Sequence, residues 1–223
     1  MTHPIQDRWR AITQAIHAHH PHVTIMAVTK SMDVIQIRAL MEVGVTVIGE
    51  NRVQPAIEKF QSPHLTEWVP RVQKHLIGPL QRNKIGKALA WFDCIHAIDR
   101  LSILEALSAH HINPTAPIRG FLQVNTGNEV QKSGFSYQDV LSHHHRLFSF
   151  PNIQINGIIA VTPYHETPEL SRPYFRETCR LWQFLSSIYP DCRELSMGMS
   201  HDYHVAIEEG ATMVRLGSVL VES

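Results

Sequence analysis

The chain alternates short apolar segments rich in strand-forming residues with amphipathic helical segments along its whole length. Eight apolar segments predict strands, at residues 23–28, 45–48, 75–77, 92–97, 121–124, 153–161, 193–196 and 212–216. Apolar residues recur at helical spacing between these segments, and also ahead of the first one, from Ile5 to Ile16. Eight strands that alternate with helices predict an α/β fold, a modified TIM (β/α)8 barrel with an extra N-terminal helix.

The domain organisation follows from the same alternation. The 223 residues are somewhat fewer than the ~250 typical of such barrels, and no Pro/Gly/Ser-rich linker divides the series. Residues 1–223 are therefore expected to form a single domain. A doubly wound open sheet is the structural alternative, since strand counting alone does not distinguish the two folds.

Charge and cysteine usage exclude several classes of protein. Twenty basic side chains balance 20 acidic ones, whereas nucleic-acid or anionic-membrane binding calls for a basic surplus. No apolar run approaches the ~18 residues of a membrane span, and the first residues lack a secretory signal. Three cysteines without CxxC spacing look like reduced thiols. We expect a cytoplasmic protein that binds neither nucleic acid nor membrane.

Histidine is the compositional exception, with 16 residues. The clusters around His17–His22 and His143–His145 have no HExxH pattern and no acidic partner, so no metal site is predicted from them.

Functional groups of such barrels gather where the strands end at their carboxyl side. Lys30 ends the first strand, and we expect its stem to be buried and its amine to face the barrel mouth. A neutral amine there can attack an aldehyde to form a Schiff base. The other strand ends carry Glu50–Asn51, Gly78, Asp99, Asn125, Thr162, Ser196–Ser200 and Arg215–Ser218.

Two of these strand ends suit a phosphate group. Residues 196–200 and the pair Gly217–Ser218 follow strands seven and eight, whose loops often hold phosphate in barrel enzymes. Arg215 lies just before the second turn, where it forms either an ion pair with a carboxylate such as Glu50 or a hydrogen bond to a heteroaromatic nitrogen. A Schiff-base lysine, a phosphate site and such a donor together are what pyridoxal phosphate requires.

Longer motifs connect these residues to a known family. They are Ala27–Lys30, Gly49–Asn51 with Val53–Gln54, His75–Gln81 with Asn83–Lys84, Lys132–Gly134, Gly198–Ser200 with Asp202, and Thr212–Ser218. With these motifs the chain resembles, nearly from end to end, the pyridoxal-phosphate homeostasis proteins of the YggS/PROSC type. That family is related to the barrel domain of alanine racemase.

The resemblance implies a barrel that holds pyridoxal 5′-phosphate as an aldimine of Lys30. Asn51 would lie near the cofactor, Ser200, Gly217 and Ser218 would hold its phosphate, and Arg215 would face the pyridine nitrogen. It also implies a role in cofactor homeostasis and delivery to apo-enzymes, without established catalytic turnover and hence without an assigned catalytic residue.

Two enzymatic alternatives stay open, together with the oligomeric state. The first is a pyridoxal-dependent amino-acid racemase, although the chain ends soon after the eighth strand and we expect no second domain to supply the tyrosine base. The second is an aldolase or isomerase that uses Lys30 directly on a sugar phosphate. We expect a monomer, because no long apolar surface stripe is visible in the sequence.

Overall fold

The computed structural model describes residues 3–110, 116–127 and 133–221. The strands of this part of the chain are β1 (Thr24–Val28), β2 (Val47–Glu50), β3 (Gln73–Leu76), β4 (Cys94–Ile98), β5 (Ile118–Asn125), β6 (Ile153–Val161), β7 (Glu194–Met199) and β8 (Met213–Leu216). The helices are α1 (Pro4–His17), α2 (Val34–Glu42), α3 (Val53–Phe60), α4 (Ile85–Trp91), α5 (Leu101–His110), α6 (Tyr137–Leu147), α7 (Arg172–Ile188), α8 (Tyr203–Glu208) and α9 (Ser218–Val221).

The eight strands form one closed, parallel barrel in sequence order, which confirms the predicted fold class. Closure is made by β1, which pairs with β2 on one side and with β8 on the other. Met26 of β1 lies beside Arg215 of β8, and Val28 lies beside Gly49 of β2. The open sheet is thereby excluded, because an open sheet would leave β1 or β8 without its second neighbour.

Apolar side chains pack inside the barrel and also cover its outer face. The interior cluster is composed of Met26, Val47, Cys94, Phe121, Ile159 and Met213. The opposite faces of the strands pack against the surrounding helices, for example against Ile37 and Leu40 of α2, both fully buried. Side chains alternate between these two layers along each strand. A residue two positions along the same strand from a member of the interior cluster therefore also faces the barrel axis.

The predicted N-terminal helix is present as α1 and packs against α2 and α9. Gln6 of α1 donates from Nε2 to the carbonyl oxygen of Ala39 in α2 at 3.0 Å. Arg8 donates to the carbonyl oxygen of Leu220 in α9 at 3.2 Å. The helix therefore connects the second and the last helices of the barrel.

Some element boundaries differ from the predicted ones for local reasons. The apolar segment 92–97 is divided, because the Phe92 N–H caps α4 at the Ala88 carbonyl and β4 begins only at Cys94. Residues 197–199, predicted to follow the seventh strand, belong to β7. Gly44, with a φ of 88°, ends the turn after α2 as expected of a residue without a Cβ. Within the described ranges, none of the helices is long and apolar enough to span a membrane.

Candidate functional site

All six predicted site residues lie at the carboxyl end of the barrel. Lys30 follows β1 by two residues, and Asn51 follows β2 directly. Ser200 follows β7, Gly217 follows β8, and Ser218 begins α9, while Arg215 lies inside the barrel on β8 itself. Because β1 pairs with both β2 and β8, these residues come from adjacent strand ends. The structure thus brings together residues that are up to 188 positions apart in the chain.

A bulge in β7 determines where Ser200 lies. Ser196 is in register with Met213 of β8, but Met199 is in register with Arg215, so β7 contains one additional residue between these pairs. Gly198 lies in this bulge with a φ of 87°. A Cβ at Gly198 would approach the Ala206 Cβ to 2.5 Å, which makes glycine the fitting residue there. Bulges of this kind redirect side chains beside functional sites.

The Ser200 hydroxyl meets the backbone that follows β8. Its Oγ accepts hydrogen bonds from the N–H of Gly217 at 3.0 Å and from the N–H of Val219 at 3.3 Å. Gly217 also packs closely on β1, where an added Cβ would lie 3.3 Å from the Val28 Cβ. One hydroxyl and two converging N–H groups form a donor set of the type that binds phosphate oxygens.

Arg215 is buried in the barrel wall, with 8% of its surface exposed. Its guanidinium donates to the Ser196 carbonyl and hydroxyl oxygens, both at 2.9 Å, and to the Ala160 carbonyl at 3.1 Å. Burial lowers the pKa of Arg215 to about 10, and the Asp202 carboxylate counteracts part of this effect. The guanidinium therefore stays charged at neutral pH. The suggested ion pair with Glu50 is wrong.

Glu50 pairs instead with Lys59, a residue that the sequence analysis missed. Lys59 Nζ lies 3.0 Å from Glu50 Oε1, and the same oxygen accepts from the Thr29 hydroxyl at 2.7 Å. Lys59 also donates to the carbonyl oxygens of Thr29 at 2.8 Å and Lys30 at 3.2 Å. This network holds the backbone of the segment that carries Lys30. The sequence showed only a lysine in the last turn of α3, one residue before its end.

The Lys30 side chain itself is exposed. The expectation of a buried stem is wrong, because β1 ends at Val28 and residue 30 already belongs to the turn beyond the strand. Its side chain is consequently open to solvent, while its backbone carbonyl oxygen accepts a hydrogen bond from Lys59.

Asn51 is placed by a close contact between the ends of β2 and β3. A Cβ at Gly78 would lie 2.2 Å from the Asn51 carbonyl oxygen and 2.8 Å from its Cα, so only glycine permits this approach. The half-buried Asn51 therefore lies at a defined position between the turns after β1 and β3.

Charges of both signs occur at this end of the barrel, but none of the hydrogen bonds of Arg215 among the described residues goes to a carboxylate. Arg215 is bound to uncharged oxygens, and the nearest acidic influence on its charge is that of Asp202. Asp202 is itself engaged in the turn, where its carboxylate accepts from the Met199 N–H at 2.8 Å. An anionic ligand is favoured at such a site, because a buried charge without a paired carboxylate gains most from an opposite charge.

Comparison with known proteins agrees with this geometry. The family described as alanine racemase, N-terminal domain, matches residues 4–222. The pyridoxal phosphate homeostasis protein of Vibrio alginolyticus is 34% identical over 200 residues, which cover 89% of this chain and 85% of that protein. The protein of the same name from Aquifex aeolicus is 33% identical over 197 residues, 88% of this chain and 85% of the relative.

The chain is also similar in sequence and fold to solved structures. PipY of Synechococcus elongatus, determined without PLP, is 32% identical with a TM-score of 0.87 and covers 97% of this chain and 99% of its own. The structure of PipY with PLP bound is 31% identical over the same shares, with a TM-score of 0.83. The chain belongs to the alanine racemase N-terminal domain family, and within it to the pyridoxal phosphate homeostasis proteins.

Proposed function

We propose that this chain binds pyridoxal 5′-phosphate at the carboxyl end of its barrel, through a Schiff base with Lys30. Its role would be to hold and deliver the cofactor in the cytoplasm, as a monomer and without catalytic turnover. The observation that carries the proposal is the convergence of an accessible lysine, a buried arginine and a set of phosphate-type donors at adjacent strand ends. The names of the relatives and the PLP-bound PipY structure support the same ligand.

Each part of the site fits one part of the cofactor. Lys30 offers the exposed amine for the aldehyde, and the Lys59 contacts fix the backbone from which that amine extends. Ser200, Gly217 and Ser218 would hold the phosphate, because their turn already presents two N–H groups to a single oxygen. Asn51 would lie beside the bound group, and Arg215 would donate to its ring nitrogen.

The absence of turnover rests on Arg215. The bound group can stabilise carbanions of amino acids, most effectively when its ring nitrogen is protonated. A guanidinium donates a hydrogen bond but does not readily give up its proton, and three hydrogen bonds hold this one in place. The ring nitrogen would therefore stay largely unprotonated, which weakens amino-acid chemistry.

The direct test of binding is the visible absorption spectrum of the purified protein before and after borohydride reduction, with peptide mass mapping. We expect a yellow protein whose absorption bleaches on reduction, with a phosphopyridoxyl adduct on Lys30. Lys30→Ala should remove both signals. Lys87→Ala, an exposed lysine of α4, is the matched control and should leave both intact. A colourless protein that takes up no added pyridoxal phosphate contradicts the proposal.

Turnover and delivery need separate assays. The carrier role predicts that L-alanine keeps its optical activity with the loaded protein, and that an apo-enzyme gains activity when mixed with it. Loss of optical activity that Lys30→Ala abolishes would establish the racemase alternative instead. Trapping of Lys30 by borohydride only in the presence of a sugar phosphate would favour the aldolase alternative.

A further inference from the structure

Three side chains that can bind a metal ion meet inside the barrel, on β3 and β4. His75 and Cys94 lie side by side in register, and His96 follows Cys94 by two residues on the same face of β4. All three are buried, and one potential ligand atom of each lies within 4.8 Å of the other two. None of these residues belongs to the proposed cofactor site. The sequence prediction that no metal is bound concerned only the two histidine clusters.

Hydrogen bonds determine which nitrogen atoms of the two rings carry lone pairs. The Gln73 amide oxygen can only accept, so the His75 Nε2, 3.3 Å away, carries the proton of that bond. His75 Nδ1 is then an acceptor and receives the Nε2–H of His96 at 2.8 Å. This leaves a lone pair on His96 Nδ1, a fully buried atom without a hydrogen-bond partner among the described residues. An unsatisfied buried acceptor is costly and indicates a missing partner.

Burial favours the neutral, metal-binding form of the two imidazole rings but raises the pKa of the Cys94 thiol, so the thiolate would form only as the ion binds. Burial lowers the pKa of His75 to about 3 and holds that of His96 well below its ordinary value, so both rings are neutral. His96 also stacks on Phe121, with ring centroids 3.9 Å apart, which fixes its orientation. Neutral imidazole and thiolate are the ligands that zinc-class ions prefer.

We propose that His75, Cys94 and His96 form a binding site for a divalent transition-metal ion of the zinc class, separate from the cofactor site. Binding would release the Cys94 thiol proton to solvent. The ion would take the lone pair of His96 Nδ1 and, once the hydrogen bond between the rings opens, that of His75 Nδ1, while both Nε2 atoms keep their protons. Tetrahedral Zn²⁺ with these ligands needs S···N distances of about 3.5 Å, so atoms that now lie within 4.8 Å of one another have to approach by at most about 1 Å. Gln73 then acts on His75 as the hydrogen-bond partner that orients a metal-bound imidazole.

Cys94 also lines a cavity at the amino end of the barrel, opposite the proposed cofactor site, and we take this cavity as the entry route. The cavity measures about 160 Å³ and is lined by Asp93, Cys94 and Arg119, among others. Asp93 is partly exposed and would attract a cation, although Lys74 pairs with it at 2.7 Å. Arg119 opposes the approach of a cation but favours the thiolate form of Cys94 once the ion is bound.

The test is a titration of the purified, metal-depleted protein with Co²⁺, recorded as difference spectra so that cofactor absorption cancels. We expect one cobalt per chain with a thiolate-to-cobalt charge-transfer band, displaced by Zn²⁺. Cys94→Ala should remove the band, and His96→Gln should weaken binding at least about 100-fold, the upper range for loss of a supporting contact. Cys179→Ala, a half-buried cysteine of α7, is the matched control and should retain the band.

Surface histidines can bind cobalt as well, but without a thiolate band. Cobalt uptake with no charge-transfer band, or with a band that persists in Cys94→Ala, would overturn the proposal. The same holds if no cobalt binds at all. Because core variants can fail to fold, each is checked by circular dichroism, and the wild type is tested for a rise in Tm with Zn²⁺. Lys30→Ala should bind cobalt normally, which separates this result from the fate of the cofactor proposal.

Discussion

Ser200 is the residue on which the turn after β8 depends. Its hydroxyl oxygen is shared by the N–H groups of Gly217 and Val219, so this single atom organises two backbone donors. A phosphate oxygen makes the same kind of contact with stronger, charge-assisted bonds. In the proposed function, the serine therefore positions the two backbone donors that the phosphate would use.

Replacing Ser200 with alanine tests this arrangement. We expect Ser200→Ala to weaken pyridoxal phosphate binding by about tenfold, the equivalent of one hydrogen bond of about 1.4 kcal/mol. Binding of pyridoxal, which has no phosphate, should be unchanged. Equilibrium titration of both ligands measures the difference. Ser186→Ala on the exposed face of α7 is the control, and equal losses for both ligands would disprove a phosphate role.

Lys59 acts on the site through Lys30 and Glu50. Lys59→Met would leave the Glu50 carboxylate buried without its charge partner and release two carbonyl oxygens of the Lys30 segment. We expect a loss of about 2 kcal/mol in the free energy of unfolding, together with slower borohydride-trappable adduct formation on Lys30.

The matching double variant distinguishes charge from position. In Lys59→Met with Glu50→Gln, urea denaturation should show much of the stability restored, because the unpaired charge is gone. Adduct formation should remain slow, since the backbone contacts are still missing. Recovery of the rate together with the stability would mean that Lys59 has no positioning role.

At the scale of elements, the β7 bulge is the feature that assembles the site. The bulge lets β7 stay paired with β8, and it places Ser200 next to the turn that follows β8. The left-handed backbone of Gly198 and its contact with α8 make this possible.

Two glycine substitutions provide a matched comparison. Gly198→Ala should destabilise the fold by about 1–3 kcal/mol, through the strained φ and the clash with Ala206. Gly86→Ala in α4 meets no atom within 4 Å and should stabilise the fold by about 0.5–1 kcal/mol. Urea denaturation measures both. Equal effects of the two substitutions would show that the bulge conformation is not required.

The carboxyl group of Glu194, at the start of β7, predicts how the stability of the fold depends on pH. Burial raises the pKa of Glu194, although Arg119 of β5, 3.6 Å away across β6, lowers it in part. A raised pKa means that the folded protein disfavours the ionised carboxylate, so Glu194 costs stability once it ionises above its ordinary pKa.

Glu194→Gln removes that cost. We expect it to raise the free energy of unfolding at pH 7 by no more than about 1 kcal/mol, because the pair is partly exposed. The advantage should disappear as the pH falls below the ordinary pKa of about 4.3, where the carboxyl is neutral in both states. Thermal denaturation from pH 4 to 7 tests this, and destabilisation at pH 7 would show that the Arg119 pair prevails.

At the scale of the whole molecule, barrel closure buries most of the large apolar side chains of the described residues. Those that remain exposed in this part of the chain are distributed over several elements: Ile35, Tyr164, Leu170, Phe184, Ile188 and Met199. Stable dimers usually bury a contiguous apolar patch on each partner. We therefore expect a mass near 25.4 kDa by sedimentation equilibrium, and a concentration-dependent increase would contradict the proposed monomer.

The sequence by itself determined the barrel and most of the candidate site. Strand and helix periodicity is local, so eight alternating units identified the fold even where boundaries moved, as at Cys94. The strand ends of a barrel converge whatever their separation in the chain, so the sequence placed Lys30, Asn51, Ser200, Arg215, Gly217 and Ser218 at one end of it, and the family resemblance selected these six.

Tertiary structure alone decided which groups pair with one another. Glu50 could have met Arg215 or Lys59, and only the barrel register and the position of α3 selected Lys59. His75 lies 19 positions before Cys94, and their contact inside the barrel follows from the pairing of β3 with β4. Such pairings depend on distances set by the closed sheet, and neither composition nor local periodicity records them.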